Sequence, residues 1–214
     1  MSGGYMSRRG RPRGGLSFYW ELSGGVHVRL AIFIDGGYLD RLLRDLNSSR
    51  VSYDRLARRI AGTVYPGIDL LRTYYYNCPP YLSSPPTEEE KQRMSKKQAF
   101  YDALLRLPRF EVRMGRLAKR IAEDGSERFE QKLVDVLLSI DLVLLSATRQ
   151  ITHAAIVAGD SDFIPAIKVA KNNGVAVWLF HGPQSHLHRD LWNVADERVL
   201  MDEEFFRAVL LEEQ

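Results

Sequence analysis

The chain has 214 residues, 45% hydrophobic and 27% charged, the balance of a soluble globular domain long enough to bury a core. No run of about 18 apolar residues occurs, which excludes a membrane span, and the lone Cys78 excludes an internal disulfide and suits a reducing cytoplasm. Of the net charge of +3, Arg8, Arg9, Arg11 and Arg13 supply +4 and the remainder nets −1, so the pI near 9.0 belongs to a tail and not to the body.

Residues 1–27, rich in Gly, Arg and Ser, read as a flexible basic N-terminal extension, since such a composition cannot bury enough apolar surface to offset its ordering entropy. A single domain is expected over 28–214, closed by a C-terminal helix. Leu30 to Asp35 is a short apolar run stopped by Gly36-Gly37, the pattern of a buried strand feeding a turn. Helix spacing follows at Leu39, Leu42, Leu43 and Leu46, and Ser52 stands as the cap of a second helix through Leu56 and Ile60. A strand is predicted over 68–76, a proline-rich loop over 77–87 and a helix over 88–107. Then come a strand over 110–117, a polar turn around Asp124-Gly125, and a long helix over 131–147. A strand over 153–158, a helix over 162–172, a final buried strand over 175–180 and a closing helix over 202–211 complete the series. Strands of continuous apolar residues alternating with helices predict an α/β domain with a mainly parallel sheet covered on both faces.

In such folds ligands bind at the carboxyl ends of the strands, and there the acids fall. Asp35 ends the first strand, and Asp160 and Asp162 flank Ser161 just after the Ile156-Val-Ala strand. Like charges gathered in one place need a cation or must stay partly protonated. Carboxylate oxygens suit Mg²⁺ or Mn²⁺, which can activate water toward a phosphodiester. A fourth acid is sought on the helix from Gln131. Asp135 lies near its start; Asp141 is six residues on, about 9 Å along the axis and about 120° around it. Asp135 is therefore the expected ligand, and Asp141 a residue that orients a basic neighbour or supports the ligands from behind.

At these residues the chain resembles a known family. Phe33-Ile-Asp-Gly-Gly-Tyr-Leu39, Lys132 to Asp141 and Val157-Ala-Gly-Asp-Ser-Asp-Phe-Ile-Pro165 are similar to motifs of NYN domains, in particular the LabA-like or DUF88 branch. The tract from Tyr74 to Pro80 and Arg113 to Leu117 also resembles it. The resemblance implies a three-layer, Rossmann-like PIN-like fold and a Mg²⁺- or Mn²⁺-dependent ribonuclease. By position, the catalytic and metal-binding acids would be Asp35, Asp135, Asp160 and Asp162. Many members carry Asn where this chain has Tyr38, a departure beside the expected site.

Around these acids, Tyr38, Lys132, Asp141 and Ser161 are supporting candidates. Lys132 would share a helix face with Asp135 three residues later. Arg113, Arg116, Lys119 and Arg120 form the densest basic cluster of the body, a candidate RNA path or a charged edge kept soluble. Tyr74, Tyr75 and Tyr76 read as core more than as base-stacking surface. His181, His186 and His188 follow no zinc spacing. The expected partner is RNA, single-stranded, with no membrane. Phe205, Phe206, Val209 and Leu210 pack on the chain's own core or form a homodimer contact. The function read from the sequence is a metal-dependent ribonuclease; the alternatives are an RNA-binding regulator that does not cut, or a small-nucleotide phosphohydrolase.

Overall fold

A computed structural model describes residues 28–47, 51–121, 127–183 and 187–211, with side chains at all of these except 117–121 and 127–132. The expected basic extension, 1–27, lies outside the described residues. Six strands form one sheet in the order β3-β2-β1-β6-β7-β8, every neighbouring pair parallel. They are β1 (Arg29–Asp35), β2 (Asp69–Asn77), β3 (Phe110–Met114), β6 (His153–Val157), β7 (Ala176–His181) and β8 (Glu197–Leu200). A separate antiparallel hairpin joins β4 (Arg116–Ile121) to β5 (Glu127–Lys132).

The central strand shows why the sheet needs helices on both faces. Leu30 to Ile34 are all fully buried. With the period of two that a strand imposes, Leu30, Ile32 and Ile34 enter one core and Ala31 and Phe33 the other. The first core is closed by α1 (Gly36–Asp45), α2 (Tyr53–Val64), α3 (Glu88–Leu105) and α7 (Glu203–Arg207). The second is closed by α4 (Val134–Ala147), α5 (Ile164–Asn172) and α6 (Arg189–Val194). No helix among the described residues is long and apolar enough to cross a membrane.

Side-chain caps set several helix starts. The Ser52 hydroxyl accepts from the Arg55 amide, and Thr87 with Glu90 makes a reciprocal capping box at α3. In α7, Phe205 and Phe206 are buried in the first core together with Val209, so its apolar face packs on this chain itself.

Four expectations need correction. The strand placed over 110–117 breaks at Gly115, whose amide donates to the Asn77 carbonyl, and the chain leaves the sheet there to form the hairpin. The long helix begins at Val134 and not at Gln131, because Gln131 and Lys132 pair with Leu117 and Arg116 in that hairpin. The strand at 176–181 is not the final one: α6 and β8 follow, and β8 carries no apolar run to announce it, with only Val199 half-buried. The closing helix is also shorter than expected, five residues capped by Asp202.

Candidate active site

The strand order itself selects a place. From β1 the chain moves outward to β2 and β3; from β6 it moves outward the other way to β7 and β8. Connections therefore diverge between β1 and β6, and the crevice at their carboxyl ends is where ligands bind in open α/β sheets. Asp35 ends β1, and Gly159 and Asp160 follow β6.

Asp35 is both the last strand residue and the N-cap of α1, its Oδ1 accepting from the Tyr38 amide at 3.1 Å. Burial pushes its carboxyl up to about 6, the Tyr38 amide bond pulls it down, and Asp135 pushes it up again. Asp135 is the second residue of α4 and half-buried. Its carboxyl is also raised, first by burial and then by Asp160 and Asp162. Asp160 is exposed and caps the short 3-10 turn Ser161–Phe163, its Oδ1 accepting from the Asp162 amide at 3.2 Å and the Ser161 hydroxyl at 3.4 Å. Asp162 is exposed on that turn.

Asp35, Asp135 and Asp160 line one cleft of about 700 Å³. Asp135 also borders an adjoining groove, which holds Ser161 and Asp162. Asp135 is thus the hinge of the set, repelled by the other acids from both sides. Among the described residues no three His, Cys, Asp or Glu side chains converge on one point, so the acids stand around a shared cleft and are not closed into a cage.

The cleft contains cations that sequence reasoning missed. Arg41 and Arg44, exposed on α1, line it together with the acids, and so does His188. Neither arginine side chain makes a hydrogen bond or ion pair among the described residues, and the Arg41 charge lowers the Asp35 carboxyl. Tyr38, Arg41 and Arg44 follow one another at the helical spacing of three, and that was the available signal.

The other candidates fall elsewhere. Tyr38 lines the cleft but is 6% exposed, and its hydroxyl accepts from the Gly182 amide at 2.8 Å, tying α1 to the end of β7. Asp141 accepts from the Tyr76 hydroxyl at 2.8 Å and lies 3.4 Å from Arg113 Nε, outside the cleft lining. Lys132 cannot share a helix face with Asp135, because it ends β5; its side chain, with those of Lys119 and Arg120, lies outside the described residues. Arg113 is engaged by Asp141 and Glu111 and covers the Tyr74 ring, whereas Arg116 is exposed. Tyr74, Tyr75 and Tyr76 are all buried, as core residues. His181 is buried with Nδ1 against the Gly182 carbonyl, His188 caps α6, and His186 lies outside the described residues.

The fold is similar to the crystal structure of a protein of unknown function from Vibrio parahaemolyticus, with a TM-score of 0.55 at 18% identity, covering 87% of this chain and 99% of that one. None of the curated proteins matches this chain. The NYN domain family model matches residues 29–202, which run from the start of β1 through β8 and include all four acids. The chain therefore belongs to the NYN domain family, within the PIN-like superfamily of nuclease-type folds.

Proposed function

We propose that this chain is a metal-dependent ribonuclease that hydrolyses phosphodiester bonds of single-stranded RNA in the Asp35–Asp135–Asp160 cleft. The observation that carries it is the joint placement of acids from three elements and two exposed arginines around one crevice at the sheet's switch point. Acids alone suit a cation; arginines alone suit a phosphate; the two together suit a phosphodiester held for attack.

The donors fit a hard divalent ion: all are carboxylate oxygens, and Asp35 and Asp135, raised first by burial and then by neighbouring acids, are groups whose charged form a bound cation would favour. Asp35, Asp135, Asp160 and Asp162 are the residues that would hold Mg²⁺ or Mn²⁺. When bound, such an ion neutralises phosphate charge and makes water a stronger nucleophile near neutral pH. The chain's own residues do the positioning. Arg41 and Arg44 draw the phosphate toward the acids. Tyr38, held by Gly182, fixes the cleft floor.

Two observations favour a second reading, binding without cleavage: among the described residues no three acids converge, and Tyr38 stands where many members carry Asn. The deciding experiment incubates labelled single-stranded RNA, single-stranded DNA and a small nucleotide with the protein, with and without Mn²⁺ or Mg²⁺, beside an Asp160→Asn, Asp162→Asn double variant. The ribonuclease reading expects RNA cleavage that needs the ion and vanishes in the variant. RNA bound equally by both proteins and cut by neither replaces it with the binding reading. Turnover of the small nucleotide alone replaces it with a phosphohydrolase.

A further inference from the structure

Beside the acid cleft lies a second hollow of about 500 Å³, lined by Leu187, Arg189, Trp192 and Asn193. Leu187 lines both, so the two spaces are neighbours. The connection is built into the backbone. The His188 amide donates to the Gly159 carbonyl at 3.0 Å, which fastens the start of α6 to the loop that presents Asp160. The Trp192 amide donates to the His188 carbonyl one turn later, at 3.2 Å. Residues four apart on a helix are neighbours, with Cβ atoms roughly 5–6 Å apart. Trp192 therefore stands one helical turn from a residue of the acid cleft.

Its indole is unusual in being both held and open. Arg198 covers the ring at 5.5 Å, and that guanidinium is itself fixed by bonds to the Trp192, Ala195 and Asp196 carbonyls. His181 meets it edge-on at 5.0 Å. Yet Trp192 remains 37% exposed, facing a hollow with a guanidinium and a carboxamide at its rim. Two side chains brace the indole, and part of it stays exposed toward the hollow.

We infer that this hollow is a nucleobase subsite, in which one unpaired base of an RNA strand stacks on the exposed part of the Trp192 indole while its backbone runs toward the neighbouring acid cleft. The inference rests on the ribonuclease reading for the identity of the strand. Every base offers a π-face, so the platform tolerates sequence, while Asn193 and Arg189 can hydrogen-bond a base edge and so bias the choice. A base already paired and stacked in a duplex cannot reach the platform, so the subsite selects single strands. The strand is then read at two places: a base at Trp192, a phosphate at Arg41 and Arg44.

The test measures binding of an end-labelled single-stranded RNA by the full chain in EDTA, so that no cleavage intervenes. Trp192→Ala should weaken binding by about 5- to 150-fold, the range for loss of one stacked base, and Trp192→Phe should restore much of it. Binding of a duplex of the same sequence should not change. Independently of whether Trp192→Ala folds, an abasic nucleotide moved along the strand should cost wild-type protein a similar factor at one position only. With Trp192→Ala, that position should cost nothing further. Equal binding by wild type and Trp192→Ala, with no sensitive abasic position, overturns the subsite, and metal-dependent cleavage by the same wild-type preparation would leave the ribonuclease reading standing. RNA neither bound nor cut by wild type overturns both.

Discussion

At the end of β1, Asp35 caps α1 through a 3.1 Å bond from the Tyr38 amide; at the end of β6, Asp160 caps a 3-10 turn through a 3.2 Å bond from the Asp162 amide. The local device is the same, a strand-terminal carboxylate satisfying the first amides of the element that follows. What differs is the surroundings. Gly36 and Tyr38 beside Asp35 are buried, with Tyr75 and Asn77 of β2 packed against Gly36, whereas Asp160 and Asp162 are exposed. One half of the site is set in the core and the other stands in solvent. A carboxylate can be positioned rigidly only by giving up hydration, and the β1 end shows the consequence in its raised pKa.

The largest break should come from Gly36→Ala. A Cβ there would meet Tyr75 Cζ and Oη at 2.5 Å and Asn77 Nδ2 at 2.8 Å. The Tyr75 ring cannot swing aside, because it is fully buried and wedged edge-on by Tyr53 at 5.6 Å and Phe100 at 5.7 Å. Overpacking of this kind should cost about 2–3 kcal/mol in denaturant unfolding. Gly62→Ala in α2, with nothing within 4 Å, should instead gain about 0.5–1 kcal/mol. If the two substitutions have similar effects, the β1 end is not the tightly packed half described here.

Next is the pH dependence of the metal-free protein. Folding raises the Asp35 carboxyl from 3.8 to about 6, which favours its protonated form. The stability this group gives is fully present below about pH 4 and is lost as the pH climbs through about 6, at most ~3 kcal/mol in all. Asp35→Asn keeps the cap and removes the titration, so urea midpoints should converge with wild type at pH 4 and exceed it at pH 7.5. Asp160→Asn, exposed and equally able to cap, should change stability at pH 7.5 by no more than about 0.5 kcal/mol. A wild-type curve that rises between pH 4 and 7 and flattens in Asp35→Asn would reverse the assignment.

The β1 half of the candidate site was more legible in the sequence than the neighbours of the β6 half, for reasons visible in particular residues. Asp35 before Gly36 and Asp160 after a buried strand are local signals, since strand ends and caps depend on adjacent residues. The role of Gly36 was only half legible: the sequence suggested a turn, whereas the structure shows close approach to Tyr75 and Asn77, forty residues away in the chain. Lys132 was misassigned because an apolar run continuing from Leu133 hides the change from hairpin to helix. Leu133 makes that change in the left-handed region, φ 74°, where a leucine gives no warning. Strand β8 was missed because an edge strand of Glu, Arg, Val and Leu has too little buried face to leave a periodic trace. Trp192 and Arg41 were passed over because the hollow and cleft they border are made by elements distant in sequence.

A more local effect probes how the two halves are held in register. Tyr38 leaves α1 beside Asp35, and its hydroxyl accepts from the Gly182 amide just beyond β7, the strand next to β6. It is therefore a strut from the buried half of the site to the side of the sheet that carries Asp160. Tyr38→Phe keeps the ring in its 6% exposed position and removes only the acceptor, which leaves the buried Gly182 amide without its partner at about 1–2 kcal/mol. The loss should be local in origin, seen as faster hydrogen exchange at Gly182 before any change at the β2 or β3 amides. Tyr38→Asn is too short to reach Gly182 and should cost more, since it also empties the space the ring fills. If Phe is neutral and Asn costs several kcal/mol, the ring and not the hydroxyl holds the floor of the cleft; if Phe and Asn cost alike, the hydrogen bond does.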